Sequence, residues 1–246
     1  MFFIDINCDL GEGMRTDAAI MPFISSANIA CGGHAGDEKS MEETIKLCLK
    51  NRVAIGAHPS FPDKENFGRS EMTLGTDEIR DIVLQQLKNF GKIVSRLGAS
   101  LHHVKPHGAL YNMSAKNISL ARAIAEAVKI FDSNLVIYGL SGSHSIYEAK
   151  AVGLKTASEV FADRTYQDDG SLTPRSQPEA EVEDVNSAVH QALHLIKEGI
   201  VKTISGKQIL LVAETICLHG DGKQALSFAK AIHEAMEKED IVIAKI

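Results

Sequence analysis

The sequence predicts an α/β fold: an irregular (β/α) barrel of about seven parallel strands, in a single domain over residues 1–246. Three observations predict it. Short apolar runs alternate with longer amphipathic ones along the chain, which implies a mainly parallel sheet covered by helices. Seven clear strand-like runs and a short eighth favour a closed barrel over an open doubly wound sheet. No Pro/Ser linker, low-complexity tract or close internal repeat divides the 246 residues, a length that a β/α barrel fills as one domain.

The strand-like runs lie at 2–8, 27–31, 53–57, 101–105, 135–140, 156–161 and 209–217, and a last apolar run at 241–246 closes the chain. Helical periodicity fills the gaps. Behind Asp37, apolar residues fall at Met41, Ile45, Cys48 and Leu49. After Thr76, read as a cap, Ile79, Ile82, Val83, Leu87, Phe90, Val94 and Leu97 repeat at 3.6-residue spacing and stop at Gly98. Leu120, Ile124, Ala125 and Val128 follow Asn117. Val185, Ala188, Val189, Ala192, Leu193 and Ile196 precede Gly199, and Ala225, Phe228, Ala229, Ile232 and Met236 mark the last long helix. The polar, turn-rich stretch at 163–181 is the longest loop, and in a barrel such a loop builds a lid or binding surface.

Apolar content of 44% and charged content of 24% are those of a globular protein able to bury a substantial core. A net charge of −6 with no long Lys/Arg run argues against a nucleic-acid or anionic-membrane partner. The N-terminal Met-Phe-Phe-Ile-Asp lacks the basic start of a signal peptide, and no window approaches the ~18 apolar residues of a membrane span. Cys8, Cys31, Cys48 and Cys217 form no C-x-x-C pair and read as small buried thiols of a cytoplasmic protein.

The polar residues carry the functional signal. Strand side chains alternate faces. The first strand places Asp5, Asn7 and Asp9 on one face and Ile4, Ile6 and Cys8 on the other. The second offers Asn28, with His34 just beyond, and the third ends at His58. The fourth sets His103, Lys105 and His107 on one face. The sixth gives Glu159 and Asp163, and the seventh leads to His219 and Asp221. Active sites of β/α barrels lie at the C-terminal ends of the strands. A buried charge persists when it pairs or binds something, so six strands ending in ionisable groups point to a shared polar cavity.

Other polar residues read as structural. Asp5 is expected to hold the lower end of the barrel, His102 to pack outward, and His190, His194 and His233 to be solvated on helices. The i, i+4 pair His190/His194 lacks the Glu of a metalloprotease motif, and neither a P-loop nor a strand-linked G-x-G-x-x-G is present. Asp9, His34, His58 and His107 supply enough N/O donors for a divalent metal, although their spacing is dispersed.

At these same segments the sequence resembles the LamB/YcsF family. The matching stretches are Asn7-Cys-Asp-Leu-Gly-Glu-Gly13, Asn28-Ile-Ala-Cys-Gly-Gly-His-Ala-Gly-Asp37, Gly56-Ala-His-Pro-Ser60 and Phe67-Gly-Arg69. Val104-Lys-Pro-His-Gly-Ala-Leu-Tyr-Asn112, Glu159-Val-Phe-Ala-Asp-Arg164, Asp169-Gly170, Arg175 and His219-Gly-Asp221 continue the match in order. Ser70 departs from it, standing where many relatives carry a second basic residue. The resemblance implies an irregular barrel similar to the glycoside hydrolase/deacetylase type. It also implies the role of the A subunit of a three-subunit 5-oxoprolinase. That enzyme is a hydrolase opening 5-oxo-L-proline to L-glutamate, with ATP as co-substrate and separate B and C subunits as partners.

The catalytic candidates are Asp9, His58, Lys105, His107, Glu159 and His219. The substrate-binding candidates are Asn7, Glu12, Asn28, His34 and Arg69, together with Asp163, Arg164, Arg175 and Asp221. Lys105 with Arg164 or Arg175 is expected to hold carboxylate or phosphoryl oxygens. Asp9 or Glu159 is expected to orient or deprotonate water, and His58, His107 or His219 to move a proton. Two rival readings stay open: a metal-dependent N-acetyl carbohydrate deacetylase, and a non-catalytic subunit that only binds substrate. A homo-oligomer is compatible with the sequence.

Overall fold

The interior of this protein is a ring of parallel strands that encloses a buried polar network and packs its outward apolar side chains beneath helices. The computed structural model describes residues 2–220 and 224–246. β1 (Phe2–Leu10), β2 (Ser26–Ala30), β3 (Ala54–His58), β4 (Leu101–Val104), β5 (Val136–Leu140) and β6 (Lys155–Phe161) pair in sequence order. Two further short strands, β7 (Ile200–Lys202) and β8 (Gln208–Leu210), lie outside the ring as an antiparallel hairpin. β9 (Thr215–Leu218) joins β6 to β1 and closes a seven-stranded parallel barrel. β10 (Ile241–Ile243) lies parallel to the start of β1, in register from Phe2↔Ile241 to Ile4↔Ile243. The expected irregular barrel is borne out, and its irregularity is this eighth strand, which pairs with β1 below the point where β9 takes over.

The period-two alternation of β1 decides its packing. Ile4, Ile6, Cys8 and Leu10 belong to the hydrophobic core beneath the helices, whereas Asp5, Asn7 and Asp9 are buried in the polar network inside the ring. The helices are α1 (Asp17–Ile20), α2 (Glu38–Asn51), α3 (Thr76–Arg96), α4 (Gly108–Lys116), α5 (Ile118–Phe131), α6 (His144–Ala151), α7 (Val185–Glu198) and α8 (Ala225–Lys238). α3 buries Ile79, Val83, Leu87, Phe90, Ile93 and Val94, the stripe its periodicity predicts. Each fully buried Leu, Val or Phe contributes roughly 1.5–3 kcal/mol. Asp37 caps α2 by accepting the Ser40 N–H, while Ser40 Oγ accepts the Asp37 N–H. Asn117 caps α5 and Asp184 caps α7, which ends at Gly199 in the left-handed conformation.

Several expectations need correction. The run at 209–217 is not one strand: Ile209 belongs to the outer hairpin, and only Thr215–Leu218 enters the barrel. The chain turns in between, because Leu211 N–H bonds back to Gly199 and Glu214 N–H to Ser158. Thr76 is the first residue of α3, and Gly75 occupies its cap position without a side-chain bond. α4 and α6 were not expected; both are short and follow strand ends directly. Among the described residues, no helix is long and apolar enough to cross a membrane.

Candidate active site

The lower barrel is held by Asp5, as expected of a structural residue. Its carboxylate accepts Ser25 Oγ (2.6 Å), Ser26 Oγ (2.7 Å) and Thr215 Oγ1 (2.6 Å). Asn7 stands one level higher. Its Nδ2 donates to Thr215 Oγ1 (2.7 Å) and Glu159 Oε1 (2.9 Å), and its Oδ1 accepts Asn28 Nδ2 (2.7 Å). Asn28 also donates to Asp9 Oδ1 (2.8 Å), and its Oδ1 lies 2.8 Å from His103 Nε2. The His103 ring fits there because the residue across from it on β3 is Gly56; a Cβ at that position would overlap the imidazole.

Lys105 occupies the centre. Its Nζ is 3.0 Å from Asp9 Oδ1, 2.8 Å from Glu159 Oε1, 3.2 Å from Asn7 Oδ1 and 2.9 Å from Cys217 Sγ. Burial opposes the ammonium charge. The negative Asp9, with Cys217 and Glu159, outweighs burial and holds the pKa well above the usual lysine value. Burial likewise pushes the Asp9 carboxyl up, but His58 and Lys105 overcome it and hold Asp9 well below the usual range. The ammonium is therefore already neutralised by two carboxylates. Its contacts hold the two carboxylates together on the barrel interior.

Beside this network four side chains converge: Glu12, His34, His58 and His107. His58 Nδ1 faces the Lys105 carbonyl at 2.7 Å, and its Nε2 lies 2.9 Å from His107 Nδ1 and 3.3 Å from Asp9 Oδ2. His107 Nε2 meets the Phe67 carbonyl at 2.9 Å. Glu12 Oε1 is 2.9 Å from His34 Nε2 and 3.5 Å from His107 Nδ1. The His34 and His107 rings stack at 3.6 Å. Burial lowers both, His34 to about 3 and His107 well below the ordinary imidazole value. The turn carrying Phe67 comes this close because Gly68, at φ +66°, has no Cβ to press on His34 and His107.

A cavity of about 710 Å³ opens above the strand ends. Asp9, His58, Lys105, His107 and His219 line its floor, with Arg69, Lys116, Arg164 and Arg175 at its sides. The 163–181 loop forms one wall. Arg164 braces it from within, donating Nε to the Ala180 carbonyl (3.0 Å) and Nη2 to the Thr173 carbonyl (2.6 Å). Burial lowers the Arg164 pKa to about 10. Arg175 pairs with Glu181 across the same loop. Asp163 accepts the His219 backbone N–H (2.9 Å) and faces His219 Nδ1 at 3.0 Å. Burial raises the Asp163 carboxyl, and His219 more than reverses this, leaving it below its ordinary value.

The fold thus brings Asp9, His58, Lys105, His107, His219, Arg69, Arg164 and Arg175 onto one cavity. Asn7, Asn28 and Glu159 sit in the polar layer that binds Asp9 and Lys105, Glu12 and His34 stand against the two histidines, and Asp163 stands behind His219. Asp221 lies outside the described residues. Among the described residues, two groups of donor atoms fall within 4.8 Å of one another: Glu12, His34, His58 and His107, and Asp9, Cys217 and His219. Asp9 stays 3.3 Å from His58 Nε2 but groups with Cys217 and His219, and Glu12 joins the three histidines.

Sequence reasoning missed Tyr111 and Lys116, which α4 turns toward the cavity, and the contact of Cys217 with Lys105. The Lys-Pro-His-Gly stretch ahead of α4, and the shared face of Cys217 and Thr215, were the available signals. The Tyr111 hydroxyl is buried beside the Glu159 carboxylate, and burial followed by that carboxylate holds it well above its ordinary pKa.

Residues 4–246 match the LamB/YcsF family. The chain belongs to the LamB/YcsF family. It is 50% identical over 245 residues to the A subunit of the 5-oxoprolinase of Bordetella pertussis, covering 98% of this chain and 97% of that protein. A lactam utilization protein from Thermus thermophilus superposes with a TM-score of 0.93 at 38% identity, covering 99% of this chain and 100% of that one. A family 4 carbohydrate esterase from Streptomyces lividans aligns with a TM-score of 0.56 at 9% identity, over 100% of this chain and 93% of that one. That level of identity shows a shared barrel and nothing about chemistry.

Proposed function

We propose that this LamB/YcsF chain is the A subunit of a cytoplasmic, ATP-dependent 5-oxoprolinase, which opens 5-oxo-L-proline to L-glutamate with ADP and phosphate. The B and C subunits would be separate chains. The observation that carries the reading is end-to-end likeness, at 50% identity, to the A subunit of a 5-oxoprolinase. The site supports it. Its cavity of about 710 Å³ is in the range of small-molecule pockets and leaves room for a lactam beside a phosphoryl group. Arg69 and Lys116 on the cavity wall suit an anionic substrate better than a neutral sugar.

A lactam is an unreactive amide. Transfer of the γ-phosphoryl group of ATP to the amide oxygen would convert that oxygen into a leaving group. Water then adds to the ring carbon, cleavage of the C–N bond releases the amine and leaves an acyl phosphate on the glutamate side chain, and a second water hydrolyses that to the carboxylate and phosphate. Arg69 and Lys116 stabilise negative charge developing on the phosphoryl oxygens. His219 is the proton-transfer group: Asp163 fixes Nδ1, leaving Nε2 to take the proton from water and return it to the ring nitrogen. Lys105 keeps Asp9 ionised on the cavity floor, where it orients the substrate N–H.

The test is glutamate release from 5-oxoproline and ATP, by the chain alone and mixed with its B and C partners. Turnover in the full mixture, lost with His219→Ala, supports the reading. No turnover in any mixture of verified folded components overturns it. Full turnover with His219→Ala would reduce the role of this chain to binding substrate.

A further inference from the structure

The hydrogen-bond inventory around His58 and His107 does not close with neutral rings. His58 Nδ1 faces the Lys105 carbonyl and His107 Nε2 faces the Phe67 carbonyl, so each of these nitrogens carries the ring hydrogen. The other two nitrogens, His58 Nε2 and His107 Nδ1, are then bare lone pairs, yet they face each other at 2.9 Å. Glu12 Oε1 adds a third acceptor, 3.5 Å from His107 Nδ1 and 3.9 Å from His58 Nε2. With Asp9 Oδ2 also only 3.3 Å from His58 Nε2, these three acceptors converge on one point and call for a cation between them.

A single proton on one imidazole bridges only one of these contacts. A metal ion satisfies all three. Bond lengths of 2.0–2.2 Å in a tetrahedral zinc site place neighbouring ligand atoms about 3.3 Å apart. The three edges here, 2.9, 3.5 and 3.9 Å, bracket that value. The surroundings are also those of a ligand set. A histidine that binds metal through one nitrogen characteristically donates the other N–H to a carbonyl or carboxylate, which fixes the ring. Both histidines do so here. His34 holds the Glu12 carboxylate through the same Oε1, at 2.9 Å.

We propose that Glu12, His58 and His107 form a binding site for one divalent transition-metal cation of the zinc class, with the fourth coordination position open. His58 and His107 line the cavity, so that position faces it. Asp9 Oδ2, 3.3 Å from His58 Nε2, stands alongside to accept from a bound water. A two-histidine, one-carboxylate set with an open position suits a cation that polarises an oxygen or binds water. The site follows from the donor atoms alone and is independent of the lactam reading.

The test reads metal, not turnover. Full-length protein treated with chelator and dialysed is titrated with Zn²⁺ by calorimetry, and with Co²⁺ by visible absorption. One equivalent per chain is expected, with the intense bands of four- or five-coordinate cobalt. The isosteric Glu12→Gln and the His107→Asn variants, checked for folding by circular dichroism, are expected to weaken binding at least about 10-fold. His34→Gln is expected to weaken it about 10- to 100-fold, as for other residues that orient a ligand. His219→Gln, outside the ligand set, should leave it unchanged. Absence of stoichiometric binding overturns the proposal, as does equal binding by folded Glu12→Gln and His107→Asn. So does ¹⁵N resonance evidence that His58 keeps hydrogens on both nitrogens in saturating Zn²⁺.

Discussion

The Asp163 carboxylate grips His219 twice, accepting its backbone N–H at 2.9 Å and standing 3.0 Å from its Nδ1. One carboxylate thereby fixes both the turn after β9 and the orientation of the ring. Asp163→Asn keeps the shape but replaces the ionised acceptor with an amide. Turnover of the reconstituted complex is expected to fall about 10²- to 10⁴-fold, the range for losing an oriented proton-transfer group. Steady-state kinetics with verified protein folding checks this; unchanged kcat would remove His219 from the proton path.

The same pair sets a pH dependence of stability. Folding lowers the Asp163 pKa, so its contribution is present above the unfolded value near ~4 and is lost as pH falls through the lower folded value. Urea unfolding of the wild type should therefore weaken more steeply below about pH 4 than that of Asp163→Asn. Parallel curves would show that the pair adds no pH-linked stability.

Lys105 is the cation between Asp9 and Glu159. Lys105→Met leaves two buried carboxylates uncompensated, and removing one partner of a buried ion pair costs about 3–5 kcal/mol. Adding Glu159→Gln takes away one of the two stranded charges and should restore part of the loss. Equilibrium denaturation of the single and double variants measures it; strict additivity would contradict the coupling.

Gly56→Ala tests the close packing of the barrel interior. The new Cβ would overlap the His103 ring, which is held by Asn28. Overpacking of this kind costs typically about 1–3 kcal/mol, or roughly 2–4 °C in Tm for each kcal/mol in a chain of this size. Thermal melts followed by circular dichroism are sufficient.

Asp37→Ala, by contrast, removes only the α2 capping box. A loss of about 1 kcal/mol is expected, with turnover unchanged, because the cap lies away from the cavity. A large loss of activity would show that α2 positions the site.

The sequence by itself determined the barrel and the polar face of β1 and of the stretch from His103 to His107. Alternation in β1 separates Asp5, Asn7 and Asp9 from Ile4, Ile6 and Cys8, and the 3.6-residue stripes of α3 and α5 specify which side meets the sheet. These are local properties, because backbone periodicity assigns a side chain to a face before anything packs against it. Only the tertiary structure decided the partners. His58 meets His107 through the pairing of β3 with β4, where the register shifts between Ile55 and Gly56. Lys105 reaches Asp9, Glu159 and Cys217 because closure of the ring brings β1, β4, β6 and β9 around one interior. Glu12 joins Asp9 beside the histidines through the path of the turn after β1, and the run at 209–217 divides because residues 211 and 214 bond elsewhere. Periodicity reports a direction, whereas a distance of 3 Å between residues a hundred positions apart depends on strand register and ring closure, which no local pattern encodes.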